Sequence, residues 1–226
     1  MTNEVIWLLF ALVNFSLLLL FYKLFGKMGL FVWIGMATIL ANIQVLKTVE
    51  LLGMTATLGN IMYGSAYLAT DILNEKYGKQ DAKKAVWLGF STLITMTVIM
   101  QIALTFQPGT EDIAHNSLET IFGLIPRIAL GSLAAYIVSQ YFDVWIYDKV
   151  RKLLPSDKYL WVRNNGSTGI SQLLDTAVFC TIAFYGSFPL NIWIEIFITT
   201  YIIKFLVALM DTPFMYIAKN MNKKDR

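Results

Sequence analysis

Seven charged side chains interrupt apolar runs long enough to cross a membrane: Asp71, Arg127, Asp143, Asp175, Glu195, Lys204 and Asp211. A charge at bilayer depth costs at least ~2.5–3.5 kcal/mol on insertion scales, so each needs a partner, a proton to carry or a water-filled path to line. Asp71, Asp143 and Asp211 fall near the ends of their runs, where water or a lysine is within reach, and read as interfacial carboxylates. Asp175 and Lys204 fall near the midplane; Arg127 and Glu195 lie in the outer third. Asp175 and Lys204 are candidates for a buried ion pair or for ligand contacts. Glu195 and Lys204 are nine residues apart, which on a helix is ~900° of rotation and ~13 Å of rise, so they face opposite sides and need different partners. Arg127 is at the right depth to serve Glu195. Pro126 before it suits the first turn of a helix, and Gly131, Ala134 and Ala135 follow on a face that permits close helix approach.

Uncharged polar residues extend these points into stripes. Asn164, Thr168, Ser171 and Asp175 recur at helical spacing, as do Asn60, Tyr63, Tyr67, Asp71 and Asn74, and Ser132, Tyr136, Gln140, Asp143 and Tyr147. Tyr63 and Tyr67, one turn apart, offer a flat surface to a planar ring, and Gly64 beside them favours close contact with a helix or a ligand. Packing on neighbouring helices would account for each stripe singly. Three together predict a lined cavity, because a bundle that only packs on itself rarely devotes so much polar surface to its interior.

The elements that must carry these residues follow from hydropathy. Hydrophobic residues make up 57% of the 226. The apolar stretches are roughly 5–22, 29–46, 55–74, 84–106, 121–147, 166–186 and 190–217, each near or above the ~20 residues a spanning helix needs. Continuous apolar runs exclude a β-barrel, which leaves an all-α integral membrane protein, a polytopic helical bundle. Of the 18 Lys and Arg residues, all but Lys47, Arg127 and Lys204 fall on alternate connections or the C-terminal tail. By the positive-inside rule that side is cytoplasmic, giving seven crossings in the cell's inner (plasma) membrane with the N-terminus outside and the C-terminus inside. The basic residues are thereby explained by topology, and the net charge of +3 is no sign of nucleic-acid binding. The first stretch lacks a basic leader and a small-residue cleavage site, so it reads as a retained helix.

The same inventory excludes several chemistries. One histidine, His115, and one cysteine, Cys180, cannot build a zinc site, and no cofactor is expected. H-E-x-x-H and Walker A motifs are absent. The single histidine lies in an external loop, so an intramembrane enzyme is a poor fit.

Three segments resemble the queuosine-precursor transporter family within the wider vitamin-uptake-transporter group. They are YGSAYLATDILNEKYG from Tyr63, RIALGSLAAYIVSQYFDVWIYDKVR from Arg127, and GSTGISQLLDTAVFCTIAFY from Gly166. Trp193, Glu195 and Lys204 in the last helix fit the same pattern, and the resemblance spans about 30–218. It implies import of 7-deazaguanines (preQ0, preQ1 or queuine) used for queuosine in tRNA. It also implies a six-helix core similar to the substrate-binding subunits of energy-coupling-factor transporters. Shorter relatives begin near Phe31, so residues 1–26 read as an added N-terminal helix, 27–218 as the core and 219–226 as a basic tail.

For such a cargo, Asp175 or Glu195 would accept from the adjacent N–H groups of the guanine-like edge. Arg127, Asn42, Gln44 and Lys204 would supply donors or charge, and Tyr63 or Tyr67 would stack. Asn42 and Gln44 serve equally well as helix-to-helix hydrogen bonds. Asp175 is the candidate for carrying a coupling proton. Ala37 and Ala41 have the small-xxx-small spacing by which coupling-factor subunits dock, and by which ordinary helices pack. A solitary transporter is the first reading, a subunit of an ATP-driven complex the alternative, and a homo-oligomer is compatible with the first.

Overall fold

In the computed structural model, residues 2–153 and 160–221 are described, without the side chains of 140, 141, 143–148, 150–152 and 160–169. Asp143, Tyr147, Asn164 and Thr168 therefore lie outside the described residues, as does the side chain of Gln140. Seven α-helices are described: α1 (Asn3–Gln44), α2 (Asn60–Tyr77), α3 (Lys79–Leu104), α4 (His115–Phe122), α5 (Ile125–Leu153), α6 (Leu160–Phe184) and α7 (Leu190–Asn220). Two strands, β1 (Thr48–Leu51) and β2 (Met54–Thr57), lie between α1 and α2. Four of the described helical segments are long and apolar enough to cross a membrane: Asn3–Gln44, Lys79–Leu104, His115–Ser139 and Leu190–Asn220.

Two compact units form, Met1–Pro126 with Ile202–Arg226, and Arg127–Tyr201. In the first, α1 is a folded-back pair of helices. Gly26 leaves helical geometry at φ 59°, ψ −138°, a conformation open to glycine because it has no Cβ. The rings of Phe21 and Trp33 meet at 5.4 Å, whereas twelve residues of straight helix would separate them by ~18 Å. The first half buries Ala11, Phe15, Leu18 and Tyr22 and exposes Val5, Leu9, Leu12, Val13, Leu17, Leu20 and Leu24. An outward face of that composition belongs in lipid, not water. The N-terminal helix is therefore built into the core of its unit, where Phe15 also meets Phe214 of α7 at 5.0 Å.

The second half of α1 buries Leu30, Trp33, Ile34, Ala37 and Ala41. Trp33 Nε1 donates to Ser65 Oγ of α2 at 3.1 Å, and a Cβ on Gly89 of α3 would come within 2.9 Å of Thr38 Oγ1. Ala37 and Ala41 thus serve packing within the chain. At the reversal, Lys27 pairs with Asp81 at 2.7 Å, and Tyr22 and Tyr77 hydroxyls approach to 3.5 Å. Lys219 pairs with Glu75 at 2.9 Å, and Lys76 Nζ donates to the carbonyls of Ala218 and Met221 near the end of α7.

The hairpin corrects the purely helical expectation. Residues 55–57, expected to begin the third apolar crossing, are strand, and α2 starts at Asn60. Leu52 and Gly53 both have positive φ, 54° and 74°, the mirror-image turn that matches strand twist. Glu4 Oε1 accepts from Leu52 N at 3.1 Å and Asn3 Nδ2 donates to Glu50 O at 2.9 Å, tying the hairpin to the start of α1.

In the second unit α5, α6 and the start of α7 pack by small residues. A Cβ on Gly131 would meet Ile182 and the backbone of Ala183 at 3.5 Å, and Ile128 and Ala135 are buried beside it. Trp193 Nε1 donates to the Cys180 carbonyl at 2.9 Å, joining α7 to α6.

Gly64 resolves to helix packing: a Cβ there would collide with Val207 of α7. Gly64→Ala should therefore destabilise the protein by about 1–3 kcal/mol through overpacking, and Val207→Ala should restore most of the loss. Thermal unfolding in detergent checks this; an unchanged midpoint for Gly64→Ala would contradict the close approach.

Candidate functional site

The eight candidate residues divide between the two units. Tyr63, Tyr67 and Lys204 form one cluster in the first. One helical turn apart on α2, the two tyrosine hydroxyls lie 3.0 Å from each other. Their rings sit edge to face, 4.8 Å apart at 70°. This corrects the expectation of a shared flat surface: ring quadrupoles favour the tilted pair, and the hydroxyl bond holds it. Lys204 Nζ lies 5.2 Å from the Tyr63 ring centroid, a cation–π contact. The arrangement presents tyrosine hydroxyls and a cation together, suited to binding a polar planar molecule by edge and face.

Asn42 is buried and donates through Nδ2 to the Thr38 carbonyl at 2.8 Å, one turn back on α1. Gln44 ends α1, and its Oε1 is buried with no hydrogen-bond partner. A buried acceptor in that state carries a desolvation cost of about 1–3 kcal/mol unless a donor arrives.

In the second unit Asp175 is 4% exposed. Ser139 of α5 reaches it across the helix pair, its Oγ 3.4 Å from Asp175 Oδ1. Ser171 and Thr176, also buried, lie beside it on α6, and Thr176 Oγ1 donates to the Gln172 carbonyl at 2.9 Å. Glu195, half-buried on α7, lies in sequence between Trp193 and Phe197, whose rings stack at 5.8 Å and 19°, and Trp193 meets Tyr185 edge-on at 6.0 Å. The spacing arguments missed Gln172 and Thr200. Each has a buried side-chain oxygen without a hydrogen-bond partner, and each sits among residues whose periodicity reads as apolar.

Arg127 has a different assignment from the one its depth suggested. Its Nε donates to Ile182 O at 2.6 Å, Nη1 to Ser187 Oγ at 2.9 Å and Nη2 to Tyr185 O. The guanidinium fork thus holds the turn between α6 and α7 in place of the expected ion pair with Glu195. That turn contains Gly186 at φ 81°, and helix-terminal carbonyls there have no intrahelical donor. A planar, permanently charged fork satisfies three acceptors at once.

Long apolar helices whose outward faces are rich in exposed leucine, isoleucine and valine define a multi-pass membrane protein, and Asn42, Ser65, Ser139 and Asp175 are polar groups buried within it. Residues 57–218 match the family described as "Putative vitamin uptake transporter", and the chain belongs to that family. It is 58% identical over 225 residues to a "Probable queuosine precursor transporter" of Bacillus subtilis (strain 168), covering 100% of this chain and 98% of the relative. It is 26% identical over 181 residues to the "Queuosine precursor transporter" of Escherichia coli (strain K12), covering 78% of each. A "Probable queuosine precursor transporter" of Haemophilus influenzae is 29% identical over 161 residues, 69% of this chain and 64% of that one. No solved structure matches significantly.

Replacing Arg127 by lysine keeps the charge but loses the fork. Arg127→Lys should lower stability by at least about 1.5 kcal/mol, since hydrogen bonds to charged groups are worth that much each. Unfolding followed by near-ultraviolet circular dichroism, sensitive to the Trp193 environment, is the check. Wild-type stability in Arg127→Lys would remove the clamp from the account.

Proposed function

We propose that this chain is a plasma-membrane importer, not an enzyme, that carries queuosine precursors of the 7-deazaguanine class: preQ0, preQ1 or queuine. The observation that carries the reading is the end-to-end likeness to a relative named for queuosine-precursor transport. Seven crossings with the N-terminus outside are part of the proposal, and two features support them. The folded-back α1 supplies two antiparallel helices from one 42-residue element, and the basic residues collect on alternate connections.

The residue chemistry suits that cargo. The 7-deazaguanine edge sets N1–H beside an exocyclic amine, a pair that one carboxylate can accept in bidentate fashion. Asp175 and Glu195 are the carboxylates assigned to that task, with Asp175 also the carrier of any coupling proton. Tyr63, Tyr67, Lys204, Asn42 and Gln44, all of the first unit, are a second group of candidates for such a cargo, by ring face, hydroxyl, ammonium and amide. Arg127, engaged with the α6–α7 turn, keeps the end of α6 in place for its neighbours. The reading of the chain as a docking subunit for an ATP-driven partner loses the face that suggested it, because Ala37 and Ala41 are buried, 0% and 6% exposed.

Purified protein in liposomes, supplied with labelled preQ1 or queuine, tests the assignment. Uptake should saturate, and Asp175→Asn or Glu195→Gln should raise the half-saturating concentration by about tenfold or more, the equivalent of one charge-assisted hydrogen bond. Unchanged half-saturation in both variants would sink the carboxylate assignment.

A further inference from the structure

The first turns of α3 carry Lys79, Lys83 and Lys84, all exposed, followed by Trp87, which is 70% exposed. Counted from Lys83 at ~100° per residue, Lys79 lies ~40° to one side, Trp87 ~40° to the other and Lys84 ~100° round, so the four share one face. The opposite face holds Ala82, Ala85 and Gly89, which are buried. Trp87 stands ~6 Å beyond Lys83 along the axis, toward the apolar run of the helix. Topology explains which side of the membrane these lysines occupy, but it does not require them to gather around an exposed tryptophan.

Two observations indicate what this face would bind. First, Lys27, Lys76 and Lys219 are each engaged within the unit. Lys79, Lys83 and Lys84 make no ion pair or side-chain hydrogen bond among the described residues, and the neighbouring acid, Asp81, is taken up by Lys27 at 2.7 Å. Second, the Trp33 and Trp193 indoles donate across helix pairs, but Trp87 Nε1 has no acceptor among the described residues. The face thus offers donors without acceptors, three ammonium groups and an indole N–H. Its complement is an anion with several acceptor oxygens. A soluble phosphate would satisfy the lysines and leave the Trp87 ring and its neighbour Leu88, 38% exposed, uncovered. A phospholipid supplies phosphodiester oxygens to the lysines, ester oxygens to the indole and acyl chains to the ring, at the depth where tryptophan concentrates.

We propose that Lys79, Lys83, Lys84 and Trp87 form a binding site for an anionic phospholipid of the inner leaflet, with the ammonium groups on its phosphate and the indole on its ester region. The site goes beyond the transport reading and rests on it only for the side of the membrane on which α3 begins. A lipid bound there holds the inner end of α3 at the leaflet boundary, next to the Lys27–Asp81 tie.

Full-length protein in a neutral detergent, titrated with phosphatidylglycerol or phosphatidylcholine and followed by native mass spectrometry, provides the test. Phosphatidylglycerol should bind about tenfold more tightly than phosphatidylcholine or better. Lys83→Gln with Lys84→Gln should weaken phosphatidylglycerol about twentyfold, at roughly fivefold per lysine. Trp87→Phe, which keeps a ring but loses the N–H, should weaken it about fivefold. Lys47→Gln, which removes a base outside the cluster, should leave binding unchanged. Equal affinity for the two lipids overturns the site, as does a double variant that binds no more weakly than Lys47→Gln. Displacement of the lipid by glycerol phosphate at comparable concentration also overturns it, because the anion would then bind without its chains. If liposomes take up no 7-deazaguanine while lysine-dependent lipid binding persists, the lipid site stands and the transport reading falls.

Discussion

Hydrocarbon offers no hydrogen bonds, so every amide, hydroxyl and charge carried into a bilayer must find its partner inside the protein or face a cavity. The local structure follows this rule closely. Threonines bond back to their own helices: Thr38 Oγ1 to Ile34 O at 2.7 Å, Thr70 to Ala66 O at 2.9 Å, Thr97 to Leu93 O at 2.8 Å and Thr199 to Glu195 O at 2.7 Å. The Trp33 and Trp193 indoles donate across helix pairs, and Arg127 satisfies three acceptors around one turn. Against that background a few buried oxygens, Gln44 Oε1, Gln172 Oε1 and Thr200 Oγ1 among them, stand out as having no hydrogen-bond partner.

The same constraint explains the ends of the helices. Lys27, Lys76 and Lys219 are bases of the kind that orient a membrane protein, and each also makes a tie within the first unit. Lys27 and Lys219 hold carboxylates on neighbouring segments. Lys76 donates to the carbonyls of Ala218 and Met221 near the end of α7. A transporter must let some elements move while others hold, and these ties, with Phe15, Leu18 and Tyr22 buried alongside, make the N-terminal helix part of what holds.

Much of this was legible in the sequence because lipid imposes a simple code. Apolar length located most of the helices, though α2 and α3 begin five residues and α6 six residues from the expected starts, and the short α4 begins at His115, in what reads as an external loop. The polar stripes picked out Asp175, which is buried; the contact of Lys204 with the Tyr63 ring was not among the expectations. What the code does not cover is what it missed. The second strand of the hairpin at Thr48–Thr57 overlaps the start of the 55–74 apolar stretch, and its turn uses Leu52 at positive φ instead of the usual Asn-Gly pair. The tilt between Tyr63 and Tyr67 is decided by a hydroxyl contact that spacing cannot report. Arg127 was assigned by depth to a carboxylate, yet the α6–α7 turn, with its exposed carbonyls and Ser187, offered nearer acceptors.

The central claim is that this chain alone moves a 7-deazaguanine across a membrane. The most direct test expresses it in a host that can neither make nor import queuosine precursors but has the enzymes to insert them. The host is fed preQ0, preQ1 or queuine separately at low concentration, and queuosine in its tRNA is measured. The account predicts modified tRNA with at least one precursor, dependent on the expressed chain. Unmodified tRNA with all three, while the protein is present in the membrane, would contradict it.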